Sequence, residues 1–154
     1  LQASLEASAK HGLPRYESLQ PHYNLMERGI EADLVPLCIE HGVGIIPYYA
    51  LASGFLTGKY RGEADLSRSP RGARGMSKYL DARGMRVLAA LDAVAARHGA
   101  TPGQVALAWQ LAKPGITAPI ASATNPDQLA ELAKAATLRL GAEDVAALDV
   151  ASAA

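Results

Sequence analysis

The chain has 154 residues, 49% of them hydrophobic, and its 15 basic and 15 acidic side chains leave a formal net charge of zero. This composition suits one globular domain with a real core, and the lack of excess positive charge argues against nucleic acid and anionic membrane surfaces as partners. No run of 18 or more apolar residues and no basic-then-apolar leader occurs, so neither a membrane-spanning helix nor a signal peptide is expected.

In chain order, residues 1–11 have helical spacing and good helix formers, with Gly12 and Pro14 as the stop. Because the first residue is Leu1 inside that pattern, a fragment of a longer protein is expected. A short strand is predicted near 17–20, then a helix over 31–41 with apolar Leu34, Val35, Leu37, Cys38 and Ile39 and a cap at Gly42. Cys38, the single cysteine, reads as a small buried hydrophobe, and its solitude implies a reducing, cytoplasmic setting. Residues 43–47 are too short and too β-branched for a helix and lack alternation, as in a strand covered on both faces of a parallel sheet.

Residues 49–80 form a Gly-, Ser-, Lys- and Arg-rich connection, longer than the ~12–15 residues of a passive loop and therefore expected to be functional. A long amphipathic helix over 81–98 ends at Gly99. Thr101-Pro102 opens another through Lys113, with Thr as N-cap and Pro at the first helical position. A third strand is predicted near 116–120, a helix starts at Asn125-Pro126, and a last one at Gly141. Short apolar strands alternating with helices give a parallel α/β layout, and periodicity alone allows either a small open sheet or part of a (β/α)8 barrel.

Two segments follow predicted strand ends, where α/β folds place ligands. In Pro47-Tyr48-Tyr49-Ala50-Leu51-Ala52-Ser53-Gly54-Phe55-Leu56-Thr57-Gly58-Lys59-Tyr60-Arg61, glycines permit close backbone approach and the cations suit an anionic group, although a bland turn would read the same. In Ile120-Ala121-Ser122-Ala123-Thr124-Asn125-Pro126-Asp127-Gln128, a strand runs into a helix N-terminus, which favours a phosphate and equally fits an ordinary capped turn.

Together with Leu19-Gln20-Pro21-His22-Tyr23-Asn24-Leu25, the following Arg28 and Glu31, Val105-Ala106-Leu107-Ala108-Trp109, Gln128-Leu129 and Leu140, these blocks resemble the aldo-keto reductase family over essentially the whole chain. The similarity extends to bacterial members and to voltage-gated potassium channel β subunits. It implies the C-terminal half of a (β/α)8 TIM barrel, a single partial domain over 1–154, with strands six to eight near 17–20, 43–47 and 116–120.

By that resemblance the cofactor is NADP(H), with NAD as the alternative. Gln20 would bond the nicotinamide carboxamide and Tyr48 would stack on its ring. The backbone from Tyr49 through Leu51, Ser53 and Gly54 would wrap the pyrophosphate, with Lys59 and Arg68 covering it, Arg71 and Arg74 competing for the latter role. Ser122, Thr124 and Gln128 would lie around the 2′-phosphate and Glu131 near the adenine amine. The chain departs from the family pattern at Tyr49-Ala50 (frequently Ser-Pro), at Ser122 (usually Gly), at Thr124 (frequently Arg) and at Leu132 (frequently Asn).

The Tyr, Lys, Asp and His that reduce a carbonyl in the family have no counterpart here, so no catalytic residue is nominated and the isolated chain is expected to be inactive. His11, His41 and His98 each precede Gly and read as helix-end caps, His22 follows a strand near the ligand face, and Trp109 reads as core. The implied partner is a small carbonyl substrate. A nucleotide-sensing regulatory role is the alternative, and the exposed sheet edges of a half-barrel predict self-association.

Overall fold

A computed structural model describes residues 1–68 and 76–153. The elements are α1 (Gln2–His11), β1 (Ser18–Leu19), α2 (Leu34–Glu40), β2 (Gly44–Ile45), α3 (Ala82–His98), α4 (Pro102–Ala112), α5 (Pro126–Lys134) and α6 (Ala142–Ser152), with 3-10 turns at Gly29–Glu31, Ala52–Thr57, Glu63–Arg68 and Met76–Tyr79. Most helix boundaries follow local chemistry. Asp81 accepts from Gly84 N to start α3, while Thr101 and Gln104 form a reciprocal capping box at α4. Gly12, Gly42 and Gly99 all take the left-handed conformation that ends a helix.

β1 and β2 are parallel, in the register Ser18↔Gly44 and Leu19↔Ile45. The segment 115–120 lies on the other side of β2: Ile45 N donates to Gly115 O at 3.2 Å and Thr117 N donates to Ile45 O at 2.8 Å. The predicted third strand is therefore reduced to a single bridge, Ile45↔Ile116. The register explains the shortness of all three strands. The next ladder donors would be the amides of residues 21, 47 and 119, and each is a proline without an N–H. Beyond these gaps pairing resumes only singly, from Tyr48 N to Pro21 O at 3.0 Å and from Ile120 N to Pro47 O at 2.8 Å.

The helix expected over 31–41 is shorter, beginning at Leu34 after a separate 3-10 turn. Pro36 is the reason: a helix begun earlier would need its missing N–H, whereas in the first turn none is required. Asp33 caps the new start by accepting from Leu34 N at 2.6 Å. Within the 49–80 connection, residues 52–60 are not a surface loop. Ala52, Phe55, Leu56 and Tyr60 are buried with Val87, Leu88, Leu91, Val105 and Trp109 in the main core.

α3 packs against α4 and α6, and α4 packs on the 52–57 turn and α5. Cys38 is fully buried, with Leu5, Val43 and Ile45, and burial pushes its thiol pKa up. Among the described residues no helix is long and apolar enough to cross a membrane.

Candidate functional site

Parallel pairing brings three chain segments to one rim, where the strands end. Gln20 and His22 leave β1, Tyr48 and Tyr49 leave β2, and Ile120 leads to Ser122 from the third segment; the bonds to Pro21 and Pro47 tie all three side by side. Tyr48 and Tyr49 are 37% and 58% exposed, large aromatic area held in solvent at the place a ligand would occupy. The His22 ring stacks on Tyr48 with centroids 5.2 Å apart and meets Tyr49 edge-on at 5.5 Å. Gln20 and Ser122 are exposed, and neither has a side-chain hydrogen-bond partner among the described residues.

Beyond Tyr49 the backbone enters an uncommon conformation. Tyr49, Ala52 and Ser53 have φ of 54°, 48° and 57°, and Gly54 has φ 100°. Left-handed backbone costs a non-glycine residue about 1 kcal/mol, so three such residues within five positions mark a turn held by its surroundings. Leu51 O accepts from Gly54 N at 2.8 Å and from Leu56 N at 3.2 Å, which closes the turn. Lys59 folds back over it: a Cβ on Gly54 would lie 3.2 Å from Lys59 Cε and 3.3 Å from Nζ, and the ammonium sits 5.0 Å from the Tyr60 ring centroid. Among the described residues Lys59 pairs with no carboxylate. Glycine at 54 thus lets the Lys59 side chain lie directly against the turn, a cation with no carboxylate partner among the described residues, which suits an anionic group.

The third segment behaves differently. Gln128 Oε1 accepts from Thr124 N and from Thr124 Oγ1, each at 3.0 Å, and Asn125 Oδ1 accepts from Gln128 N at 2.9 Å. The N-terminus of α5 is satisfied by its own side chains, and Asp127 adds negative charge in its first turn. Glu131 accepts from Gln104 Nε2 at 2.7 Å and pairs with Lys134 at 2.5 Å. Thr124, Gln128 and Glu131 are therefore already bonded to protein. The side chain of Arg68, and all of Arg71 and Arg74, lie outside the described residues.

Tyr23 is 1% exposed and donates to Glu31 Oε1 at 2.6 Å; burial foremost, then Glu31, pushes its pKa far above the ordinary phenol range. Glu31 also takes a two-pronged grip from Arg28, which in turn donates to Asp149 O and Ser152 Oγ at 2.8 and 2.9 Å. Burial works to raise the Glu31 pKa, and the bonds from Arg28 and Tyr23 outweigh it, leaving the group lowered. Trp109 is fully buried and donates to Asp149 Oδ1 at 3.0 Å, with Arg28 and Lys113 over its ring.

These groups form a structural network joining the turn after β1 to α4 and α6. His98 stands in the last turn of α3 before the cap Gly99, as expected, and its Nε2 also meets Asp144 Oδ2 at 2.7 Å, linking the end of α3 to the start of α6. No group of three or more metal-ligating side chains occurs among the described residues. An open depression lined by Leu5, Gly12, Arg15 and His41 lies where the strands begin, away from this rim.

Sequence reasoning missed two residues that bear on the turn. Asn24 and Gln110 are both fully buried; Asn24 Nδ2 donates to Tyr49 O at 2.9 Å and Gln110 Nε2 to Ala50 O at 2.8 Å. A polar residue at an apolar helical position was the only available signal for Gln110, and nothing local points from it to Ala50.

Against known proteins, residues 3–153 match the sequence profile of the aldo/keto reductase family. Protein tas of Escherichia coli (strain K12) is 34% identical over 148 residues, which cover 93% of this chain and 41% of that protein. The probable aldo-keto reductase 1 of Glycine max is 33% identical, over 88% of this chain and 39% of its own length. A probable voltage-gated potassium channel subunit beta of Arabidopsis thaliana is 37% identical, over 75% and 37%. The chain spans about two fifths of the length of the curated relatives it matches. With a profile match across nearly all of its residues, the chain belongs to the aldo/keto reductase family.

Proposed function

We propose that this chain is the cofactor-binding, C-terminal half of a (β/α)8 barrel, and that the protein containing it is an NADP(H)-dependent oxidoreductase reducing aldehydes or ketones to alcohols. β1, β2 and the 115–120 segment take the places of strands six, seven and eight. What supports the reading is the meeting of exposed Gln20, Tyr48 and the chain toward Ser122 at one rim, beside a glycine turn overlain by Lys59. A bound nicotinamide dinucleotide supplies hydride chemistry.

The protein's own part is positioning. Gln20 offers an amide donor and acceptor to a carboxamide, and Tyr48 offers a ring face whose stacking is worth about 0.5–1.5 kcal/mol beyond area burial. The turn from Tyr49 through Leu51, Ser53 and Gly54, with Lys59 and Arg68, holds the pyrophosphate; Ser122, Thr124, Gln128 and Glu131 line the adenosine end. A carbonyl also needs an acid to protonate its oxygen. None of the side chains at the rim is assigned that role, so a Tyr, Lys, Asp and His set from the rest of the barrel would provide it, and this chain alone would be inactive and prone to self-association through its sheet edges.

The test is calorimetric titration of the full-length protein with NADPH, alongside turnover of a model aldehyde. Replacing Tyr48 by Ala should weaken binding about 5- to 10-fold, the worth of the lost stacking and contact area. Unchanged affinity in that variant would overturn the placement. Tight NADPH binding with no aldehyde turnover would favour a nucleotide-sensing role, the reading encouraged by similarity to a probable channel β subunit. A reducing, cytoplasmic location fits the lone buried thiol.

A further inference from the structure

The turn that carries Tyr49 to Gly54 is held by two buried amides that belong to neither strand nor turn. Left-handed backbone at Tyr49, Ala52 and Ser53 persists only where surrounding contacts over-determine it. Successive carbonyls supply that control. Tyr49 O receives Asn24 Nδ2 from the segment after β1, and Ala50 O receives Gln110 Nε2 from α4. Asn24 is itself fixed, since its Oδ1 accepts from Met26 N at 2.8 Å and its backbone pairs in both directions with Glu27. Its Nδ2 also lies 3.3 Å from His22 Nε2, so one amide touches both the turn and the ring stacked on Tyr48.

Gln110 bears the stronger mark. It is fully buried, and its Oε1 is the one buried side-chain polar atom without a partner among the described residues. An unsatisfied buried acceptor costs stability, and an apolar side chain of similar volume would only move that cost to the Ala50 carbonyl. What the amide does provide is a fixed direction for the Ala50 carbonyl, and with it the path of the next four residues.

We infer that Asn24 and Gln110 are positioning residues that preset the Tyr49–Gly54 turn for the pyrophosphate of a dinucleotide; this rests on the function proposed above. Neither touches the ligand. Gln110→Leu separates the role from a structural one, because it removes the orphaned oxygen while keeping the bulk. In the full-length protein, the expected result is a nearly unchanged melting temperature, because an unpaired Ala50 carbonyl replaces the orphaned Oε1, about 10-fold weaker NADPH binding by calorimetry, and faster hydrogen exchange at the amides of residues 50–54 without ligand.

Wild-type affinity together with wild-type exchange in Gln110→Leu would overturn the inference. Asn24→Ala is the second variant, expected to speed exchange over the same amides; unaltered exchange there would likewise count against the clamp. Should the wild-type protein bind no NADPH, the dinucleotide assignment falls. Faster exchange in the variants would still establish the two amides as the clamp of the turn.

Discussion

The two ends of the site present opposite states of hydrogen bonding. At the end proposed for nicotinamide, Gln20 and the rings of Tyr48 and Tyr49 are exposed, and none of their side chains has a hydrogen-bond partner among the described residues. At the end proposed for adenosine, Thr124 and Gln128 bond each other, and Glu131 bonds Gln104 and Lys134. Behind both lies a base where Tyr23, Arg28, Glu31, Lys113, Trp109 and Asp149 satisfy each other. Polar groups paired within the protein lend stability, while those left unpaired at the rim remain available to a ligand. The contrast teaches that packing, beyond residue type, decides which polar groups stay open to a ligand.

The division is broken most severely at the base. Trp109→Ala removes a fully buried indole and leaves the Asp149, Arg28 and Lys113 charges with one partner fewer, so about 3–5 kcal/mol of stability should be lost. Urea denaturation measures it. A loss below about 1 kcal/mol would mean that the base is not the structural half.

Acid sharpens the same boundary at Asp144, which is 8% exposed and bonded by Arg97 and His98. Those two bonds, Arg97 foremost, lower its pKa to about 2 from an ordinary 3.8. A carboxylate depressed in the folded state contributes stability above its unfolded pKa and loses it as pH falls through the folded value. The contribution, roughly 1–2 kcal/mol after screening near half-exposed Arg97, should be complete above about pH 5 and disappear between about pH 4 and 2. Asp144→Asn should make the slope shallower in thermal melts run across the range, the share of Glu31 remaining, and an unchanged slope would refute the linkage.

The smallest effect is expected at the end proposed for adenosine. Thr124→Arg places a guanidinium where only a hydroxyl stands, and should shift preference toward NADPH over NADH by about 5-fold in binding titrations. No shift would separate residue 124 from the 2′-phosphate.

Much of this was legible locally. Gly12, Gly42 and Gly99 each act as a helix stop, and Thr101-Pro102, Asn125-Pro126 and Gly141 each begin a helix, because a cap is chemistry within four residues. The strand positions were legible too, but their brevity was not, since it takes the register to show that Pro21, Pro47 and Pro119 all fall on donor positions. The 49–80 connection reads as a loop because Gly, Ser and Lys dominate it. Its Phe55, Leu56 and Tyr60 enter the core only because α3 and α4 arrive from later in the chain to cover them.

The sequence by itself determined the family, the order of helices and strands, and the residue types at the rim, all properties carried by short stretches of chain. Only the tertiary structure decided which of those residues are available: that Glu131 bonds Gln104, and that Asn24 and Gln110 grip adjacent carbonyls from 25 and 60 residues away. Hydrogen bonds between distant segments form where packing brings donor to acceptor, and no local pattern encodes that meeting.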